Sequence, residues 1–291
     1  MRELAPGKVN LSLFLGPVRD DGRHELVTVI ESVSLADELD VSVLPGGADE
    51  VICEGVQGDN LVATALRALR ERGWDGPPLR VEIHKRIPVA AGMGGGSADA
   101  AAMLRVAERL APVSGGTAVI AAELGADVPS QLAPGLSVGT GAGERVVTRP
   151  PLGPHALVIV PSRHRLSTAA VYAEADRLGL PRSQQDLAGR LEALESALAP
   201  GERLAPELLV NDLERAAVSL CPDVATTLEA VRPAGADHAL VCGSGPTVAG
   251  LCWGADAGER AAAIATQLGD RFPLVTTALP LSSPASGTMG D

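Results

Sequence analysis

The sequence contains few aromatic residues and almost no lysine. Aromatic side chains make up 2% of the 291 residues, and two of the 24 basic residues are lysines. No segment reaches the ~18 consecutive apolar residues that a membrane-spanning helix needs. The four cysteines form no C-x-x-C pair and have no histidine at zinc-ligand spacing, a pattern typical of reduced thiols rather than of a structural zinc site. These absences argue against a membrane span and predict a cytoplasmic protein.

The excess of negative charge limits the partners that the chain is expected to bind. The formal net charge of -12 argues against nucleic acid or an anionic membrane as the main partner. The first residues, M-R-E-L-A-P-G-K-V, also lack the apolar segment of a signal peptide. Hydrophobic residues make up 46% of the chain, which is enough for a sizeable core. A small anionic ligand is compatible with this composition if positive charge is concentrated at its site.

Strand-like and helix-like patterns are mixed along the chain. Asn60 is predicted to cap a helix that Gly73 ends. The stretch R-P-P-L-G-P at 149–154 is typical of a linker. We therefore predict an α+β (mixed α/β) fold with two domains. The predicted segments are a domain at 1–150, a second domain at 151–281 and a disordered tail at 282–291.

A glycine-rich stretch is the clearest motif of the sequence. Four of the five residues from Gly92 to Gly96 are glycines, and a helical pattern follows them. Missing side chains let backbone N–H groups approach an anion closely, and a helix N-terminus carries about half a positive charge. The stretch therefore predicts phosphate binding, with close packing of a helix on a sheet as the alternative. We expect Ser97 to cap the helix and to offer its hydroxyl to Mg²⁺. Neither the Walker A lysine nor a G-x-G-x-x-G spacing is present.

Both lysines adjoin glycine-containing stretches. Lys8 lies in A-P-G-K-V-N-L, and Lys85 lies three residues before Pro88, where the glycine-rich stretch begins. Because arginine is used almost everywhere else, these two positions favour a role that a planar guanidinium does not serve. Asp99 is expected in the first turn of the following helix, where a carboxylate interacts favourably with the helix dipole.

These motifs together resemble those of the GHMP kinases, the superfamily of galactokinase, homoserine kinase and mevalonate kinase. P-V-A-A-G-M-G-G-G-S-A-D-A-A resembles their phosphate loop, and A-P-G-K-V-N-L and C-G-S-G-P-T-V (242–248) resemble their other two motifs. Within the superfamily, the chain resembles the 4-diphosphocytidyl-2-C-methyl-D-erythritol kinases. The pieces that carry this resemblance occur in family order and are K-V-N-L, D-G-R-H-E-L, D-N-L, G-A-D-V-P, S-T-A-A-V-Y and N-D-L-E.

The resemblance implies a two-domain GHMP kinase fold with the active site in the cleft between an ATP-binding and a substrate-binding domain. It implies ATP-dependent phosphorylation of the 2-hydroxyl of the family's substrate in the non-mevalonate isoprenoid pathway. ATP and Mg²⁺ are the implied cofactors, and a monomer or weak homodimer is expected.

The resemblance also assigns roles to individual positions. Asp127 matches the general base, and Lys8 matches its electrostatic partner. The positions that match ATP-binding residues are Asn60, Lys85, Pro88, Val89, Ala90, Ala91, Gly92, Met93, Gly94, Gly95, Gly96 and Ser97. Those that match substrate-binding residues are Asn10, Arg23, His24, Thr168, Tyr172, Gly243 and Gly245. Among these, His24 is expected to hydrogen-bond cytosine, and Tyr172, the single tyrosine, to stack on it.

The chain departs from the family pattern in two places. Arg23 stands where the family usually has an aromatic residue that stacks on the base, although a guanidinium also stacks on aromatic rings. Ser130 and Gln131 follow G-A-D-V-P, where the family usually has apolar aromatics. Two alternatives stay open: a GHMP kinase for another small alcohol of the homoserine or mevalonate type, and a non-catalytic ligand-binding sensor on the same fold.

Overall fold

The computed structural model describes residues 1–55 and 60–282, so the predicted tail from 283 onward lies outside the described residues. The strands are β1 (Arg2–Val18), β2 (His24–Val43), β3 (Glu50–Cys53), β4 (Leu79–His84), β5 (Leu136–Thr140), β6 (Arg145–Arg149), β7 (His155–Val160), β8 (His238–Val241), β9 (Val248–Trp253) and β10 (Thr276–Ala278). The helices are α1 (Leu61–Glu71), α2 (Gly95–Leu110), α3 (Thr117–Leu124), α4 (Val128–Leu132), α5 (Thr168–Arg177), α6 (Gln184–Ala197), α7 (Glu214–Leu220), α8 (Asp223–Val231) and α9 (Ala257–Gly269), with a 3₁₀ turn at Pro206–Leu208.

The strands form two sheets, one in each half of the chain. The first has the order β3-β4-β2-β5-β6, with β1 paired to β2. The second has the order β10-β7-β9-β8 and is antiparallel throughout. The mixed α/β prediction is confirmed. The domain boundary at 150 stays a prediction, although the two sheets lie on either side of it.

Strand β2 is the centre of the first sheet, since it pairs with β4, β5 and β1, and with β1 it forms a long hairpin. Its register shifts in three places, between Pro6 and Lys8, between Asn10 and Ser12, and between Leu15 and Val18. Residues 5–16 of β1 are all buried, so both faces of this strand are covered, including the face that carries the polar residues Lys8, Asn10 and Ser12. Register shifts of this kind bend a strand locally, and Lys8 and Asn10 of the functional site lie at two of them.

One hydrophobic cluster connects the two halves. It contains Val29 of β2, Leu157 and Ile159 of β7, and Leu194 of α6. Two further clusters lie against the outer faces of the sheets, one under α1 and α2 and one under α8 and α9. The two sheets therefore share a core rather than meeting across solvent.

Several element predictions are confirmed by the structure. Asn60 Oδ1 accepts a hydrogen bond from the backbone N–H of Val62 at 2.8 Å and caps α1, and Gly73 follows α1 with a φ of 77°. Strands β5 and β6 were not predicted, because glycine and charged residues interrupt their patterns and obscure the alternation. None of the described helices is both long enough and apolar enough to cross a bilayer.

Candidate active site

The glycine-rich stretch forms a loop that leads from β4 into α2. Ala90, Gly92 and Gly94 all have positive φ, at 56°, 76° and 66°. Gly94 is the N-cap of α2, and it supplies no side chain to hydrogen-bond the helix terminus. The backbone N–H groups of the first turn are therefore available to an anion, and the helix dipole favours a negative charge there.

The predicted cap at Ser97 is wrong. Helix α2 begins at Gly95, and the N–H of Ala98 already donates to the carbonyl of Gly94 at 2.8 Å. Ser97 is thus the third helical residue and lines the cavity described below. The left-handed conformation of Gly94, which glycine adopts without steric cost, lets the helix start three residues earlier than predicted.

A second glycine-containing turn, Cys242–Pro246, packs directly against the loop. A Cβ at Gly92 would lie 2.0 Å from the carbonyl oxygen of Cys242, and one at Gly243 would lie 2.8 Å from that of Gly92. The Nδ2 of Asn211 donates to the carbonyls of Val241 and Gly243, both at 2.7 Å. The two turns approach this closely because both contact residues lack a side chain.

Lys8 and Asp127 lie together beside this junction. The Nζ of Lys8 is 3.4 Å from Oδ2 of Asp127 and donates to Oδ1 of Asn10 at 2.7 Å. The Lys8 side chain is 4% exposed, whereas that of Asp127 is 38% exposed and lines the cavity described below. The backbone N–H of Lys8 donates to the carbonyl of Met93 at 2.9 Å, which ties β1 to the loop.

The polar contacts of Lys8 continue into β2. The Nδ2 of Asn10 donates to Oγ1 of Thr28 at 2.8 Å, and Thr28 in turn donates to the carbonyl of Ser12 at 2.7 Å. Each of these buried polar groups has a partner, so the Lys8 ammonium is held in one position. Cys242 is fully buried nearby, and burial raises the pKa of its thiol to about 12, although Lys8 lowers it.

Lys85 lies between two buried carboxylates, that of Asp37 on β2 and that of Asp99 in α2. Its Nζ donates to Oδ2 of Asp99 at 2.8 Å and to Oδ2 of Asp37. Burial raises the pKa of Asp99 to about 7, with Lys85 lowering it and Asp37 raising it further. Burial lowers the pKa of Lys85, but the two carboxylates outweigh that effect and raise it overall. Asp99 is therefore an ion-pair partner inside α2, which corrects its prediction as a first-turn residue that acts on the helix dipole.

Asp37 is a site residue that sequence reasoning missed. Its Oδ1 accepts hydrogen bonds from the backbone N–H groups of Arg86 and Ile87, at 2.5 and 2.8 Å. It thereby fixes the chain just before the loop. The only sequence signal was an acidic residue at the end of the apolar run of β2.

These groups surround a cavity of about 550 Å³ between the halves of the molecule. Every residue predicted to bind ATP lines it, as do both predicted catalytic residues. Four of the seven predicted substrate residues also line it: Asn10, Thr168, Tyr172 and Gly243. Arg23, His24 and Gly245 do not lie in its wall.

Comparison with known proteins identifies the family. The GHMP kinases N terminal domain model matches residues 60–135, and the GHMP kinases C terminal model matches residues 191–271. A 4-diphosphocytidyl-2-C-methyl-D-erythritol kinase of Saccharopolyspora erythraea is 45% identical over 272 residues, covering 89% of this chain and 85% of that protein. One of Kineococcus radiotolerans is 44% identical, covering 89% and 83%. The chain belongs to the 4-diphosphocytidyl-2-C-methyl-D-erythritol kinase family.

Solved structures agree with this assignment. A crystal structure of 4-(cytidine 5'-diphospho)-2C-methyl-D-erythritol kinase superposes with a TM-score of 0.74 at 32% identity, covering 98% of this chain and all of that one. Mevalonate kinase of L. major has a TM-score of 0.67 at 16% identity, covering 98% and 97%, and shares the fold.

Helix α5 brings the family's S-T-A-A-V-Y motif to the cavity. The hydroxyls of Thr168 and Ser244 are hydrogen-bonded at 3.1 Å, which connects α5 to the second glycine turn. Burial raises the pKa of the Tyr172 hydroxyl, and the charge of Asp127 raises it further. Tyr172 therefore stays protonated in the wall of the cavity.

The residues at which the chain departs from the family pattern have local partners. Arg23 donates to Asp21 through Nε and Nη2, at 3.1 and 2.9 Å, and lies outside the cavity. Ser130 donates to the carbonyl of Asp127 at 2.8 Å. Gln131 accepts a hydrogen bond from Ser32 at 3.1 Å. Ser130 thus bonds to the turn that carries Asp127, whereas the side chain of Gln131 bonds to β2.

Proposed function

We propose that this chain transfers the γ-phosphoryl group of ATP to the 2-hydroxyl of 4-diphosphocytidyl-2-C-methyl-D-erythritol, a step of non-mevalonate isoprenoid synthesis. The observation that carries the proposal is the contact between Lys8 and Asp127 at 3.4 Å beside the N-terminus of α2. A carboxylate, an ammonium and an anion-binding helix end are the groups that phosphoryl transfer to an alcohol requires. Membership of the kinase family supports the choice of substrate.

The proposed chemistry assigns the proton transfer to Asp127. A tertiary hydroxyl is a weak nucleophile, so Asp127 accepts its proton as the oxygen bonds to the γ-phosphorus. The bond from that phosphorus to the bridging oxygen breaks, and ADP leaves. Lys8 favours the ionised carboxylate and offsets the negative charge that develops during transfer.

The phosphates of ATP are proposed to lie at the start of α2. There the N–H groups of residues 94–97 and the helix dipole act on them. The Ser97 hydroxyl lines the same wall. Among the described residues, no group of three or more His, Cys, Asp or Glu side chains is placed to hold a metal ion. A single hydroxyl suits Mg²⁺, which binds mainly to substrate phosphates and water, and which neutralises phosphate charge when bound.

The other side of the cavity is proposed to hold the cytidine substrate. Asn10, Thr168, Tyr172 and Gly243 line the same cavity as the predicted nucleotide residues Asn60 and Lys85. Tyr172 offers an aromatic face for the base, and Gly243 lets the backbone approach the reacting end. Arg23, His24 and Gly245 are the other proposed substrate residues, and they do not line the cavity.

Replacing Asp127 with Asn tests the assignment of the base. We expect turnover to fall by about 10² to 10⁴-fold, because the amide cannot accept the proton, while ATP affinity stays unchanged. ADP release measures turnover, and calorimetry measures the affinity for ATP. Asp75→Asn is the control, since Asp75 is exposed and does not line the cavity. Retained turnover in Asp127→Asn would remove Asp127 as the base.

The substrate is tested by offering the wild-type enzyme three alcohols with Mg-ATP. We expect ADP release with the cytidine substrate and none above background with homoserine or mevalonate. Turnover of either of those alone would replace the proposed substrate. Binding of the cytidine compound without turnover would instead indicate a sensor.

A further inference from the structure

A histidine and an aspartate form a hydrogen bond across the two halves of the molecule. His24 is the first residue of β2, and its Nε2 lies 2.8 Å from Oδ1 of Asp176 on α5. The His24 side chain is 6% exposed and that of Asp176 is 44% exposed, so the histidine is buried and the carboxylate reaches it from the solvent side. The chemistry proposed above makes no use of Asp176.

The chemistry of the two groups determines where the imidazole proton lies. An ionised carboxylate only accepts hydrogen bonds. The short Nε2–Oδ1 contact therefore requires the proton on Nε2. In the neutral ring the other nitrogen, Nδ1, then carries a lone pair and is an acceptor.

Nδ1 is open to a ligand. None of the described residues hydrogen-bonds to it, and it is not among the fully buried polar atoms that lack a partner. Side chains alternate along a strand, so His24 shares a face of β2 with Leu26 and Thr28, which both line the cavity. The His24 ring centroid is 5.2 Å from that of Tyr172, which also lines the cavity.

Helix α5 holds the backbone of Asp176 in place. Thr168, Tyr172 and Asp176 are four residues apart and share one face of α5. On another face of α5, Val171 and Ala175 pack in a hydrophobic cluster with Leu13 of β1. The helix thus fixes the backbone of Asp176 relative to the cavity.

We propose that Asp176 is a positioning residue that fixes His24 in the tautomer with Nδ1 as an acceptor, and that this acceptor selects cytosine over uracil. The inference rests on the proposed function, since it concerns the base of the proposed substrate. Cytosine carries an amino group where uracil carries a carbonyl oxygen. An acceptor on the protein accepts a hydrogen bond from the amino group of cytosine. The carbonyl oxygen of uracil has no proton to donate, so its lone pairs would face the lone pair of the acceptor.

Replacing Asp176 with Asn removes this constraint, because an amide both donates and accepts. His24 then adopts either tautomer, and Nδ1–H is able to donate to a carbonyl oxygen. We expect the ratio of kcat/KM for the cytidine substrate to that for its uridine analogue to fall by about tenfold or more. Asp176→Glu keeps an acceptor-only carboxylate and is expected to retain the wild-type ratio.

Asp223→Asn is the matched control. Asp223 makes a similar contact to a histidine, with Oδ2 2.9 Å from Nε2 of His164, but both residues are exposed and neither lines the cavity. Its selectivity ratio should match that of the wild type. An unchanged ratio in Asp176→Asn would overturn the selectivity inference.

The tautomer is measured independently of turnover by ¹⁵N NMR of the histidine rings at about pH 8, where imidazole is ordinarily neutral. His24→Gln assigns the His24 signals among those of the five histidines. We expect Nε2–H in the wild type and a larger share of Nδ1–H in Asp176→Asn. An Nδ1–H tautomer in the wild type would overturn the inference. Absence of turnover with both nucleotides would contradict the proposed function, and this measurement would still decide the tautomer.

Discussion

At the scale of single residues, the site depends on the absence of side chains as much as on their presence. Gly243 has a φ of 53°, and a Cβ there would lie 2.9 Å from Nζ of Lys8 and 2.8 Å from the carbonyl oxygen of Gly92. One added methyl group therefore displaces the ammonium that lies beside Asp127, or the loop that is proposed to hold phosphate, or both.

We expect Gly243→Ala to lower kcat by at least about 100-fold, because small displacements of reacting groups are costly. Gly73→Ala is the control, since Gly73 has a φ of 77° with no atom within 4 Å of its added Cβ. In each variant the added Cβ sits on a backbone in the left-handed region, which costs about 1–2 kcal/mol. Thermal unfolding measures this loss of stability. If both variants lose activity equally, backbone strain rather than the contact with Lys8 is responsible.

At the scale of elements, a buried ion pair connects β2 to β7. Nε2 of His155 lies 2.7 Å from Oε2 of Glu31, and the two side chains are 1% and 2% exposed. Burial lowers the pKa of His155, but the hydrogen bond and charge of Glu31 outweigh it and raise the pKa overall. Nδ1 lies 2.7 Å from the carbonyl oxygen of Gly153, so the protonated ring has partners on both sides.

This pair predicts a pH dependence of stability. Because folding raises the pKa of His155, its contribution is fully present below the unfolded value of about 6.5 and is lost as the pH rises through the folded value. We expect the wild type to lose more of its free energy of unfolding over this range than His155→Gln does. Urea denaturation at several pH values measures the difference. His84→Gln, which alters an exposed contact to Asp40, should keep the wild-type slope.

At the scale of the whole molecule, the two sheets share one hydrophobic cluster. Each half also contains one of the two tryptophans, Trp74 after α1 and Trp253 at the end of β9. Trp74 is 4% exposed and Trp253 is 7% exposed, so the fluorescence of each reports the packing of its own half.

We expect the two halves to unfold together, because separating them would expose the shared cluster to water. Trp74→Phe and Trp253→Phe leave one fluorescent reporter each. In both variants the urea midpoint from fluorescence should coincide with that from far-UV circular dichroism. Two separated midpoints would show that residues 1–150 and 151–281 are independent folding units.

Much of the local structure was predictable from the sequence. The start of α1 at Asn60, its end at Gly73 and the glycine-rich loop followed from short-range chemistry, since caps and turns depend on a few neighbouring residues. The site was only partly predictable. Asp37 and Asp176 were missed, because each acts on a residue that is distant in the chain and gives no local pattern. The start of α2 was misplaced, because serine is a common cap and the glycines before it gave no boundary.

The sequence by itself determined the mixed α/β class, the family motifs and the local turns, since all of these depend on residues within one segment. The tertiary structure alone decided which charges meet. It placed Lys85 between Asp37 and Asp99 and His24 against Asp176, and it gave the geometry of the Lys8–Asp127 pair that the family resemblance had implied. These contacts join segments that are far apart in the chain, and their geometry exists only once the sheets and helices have packed.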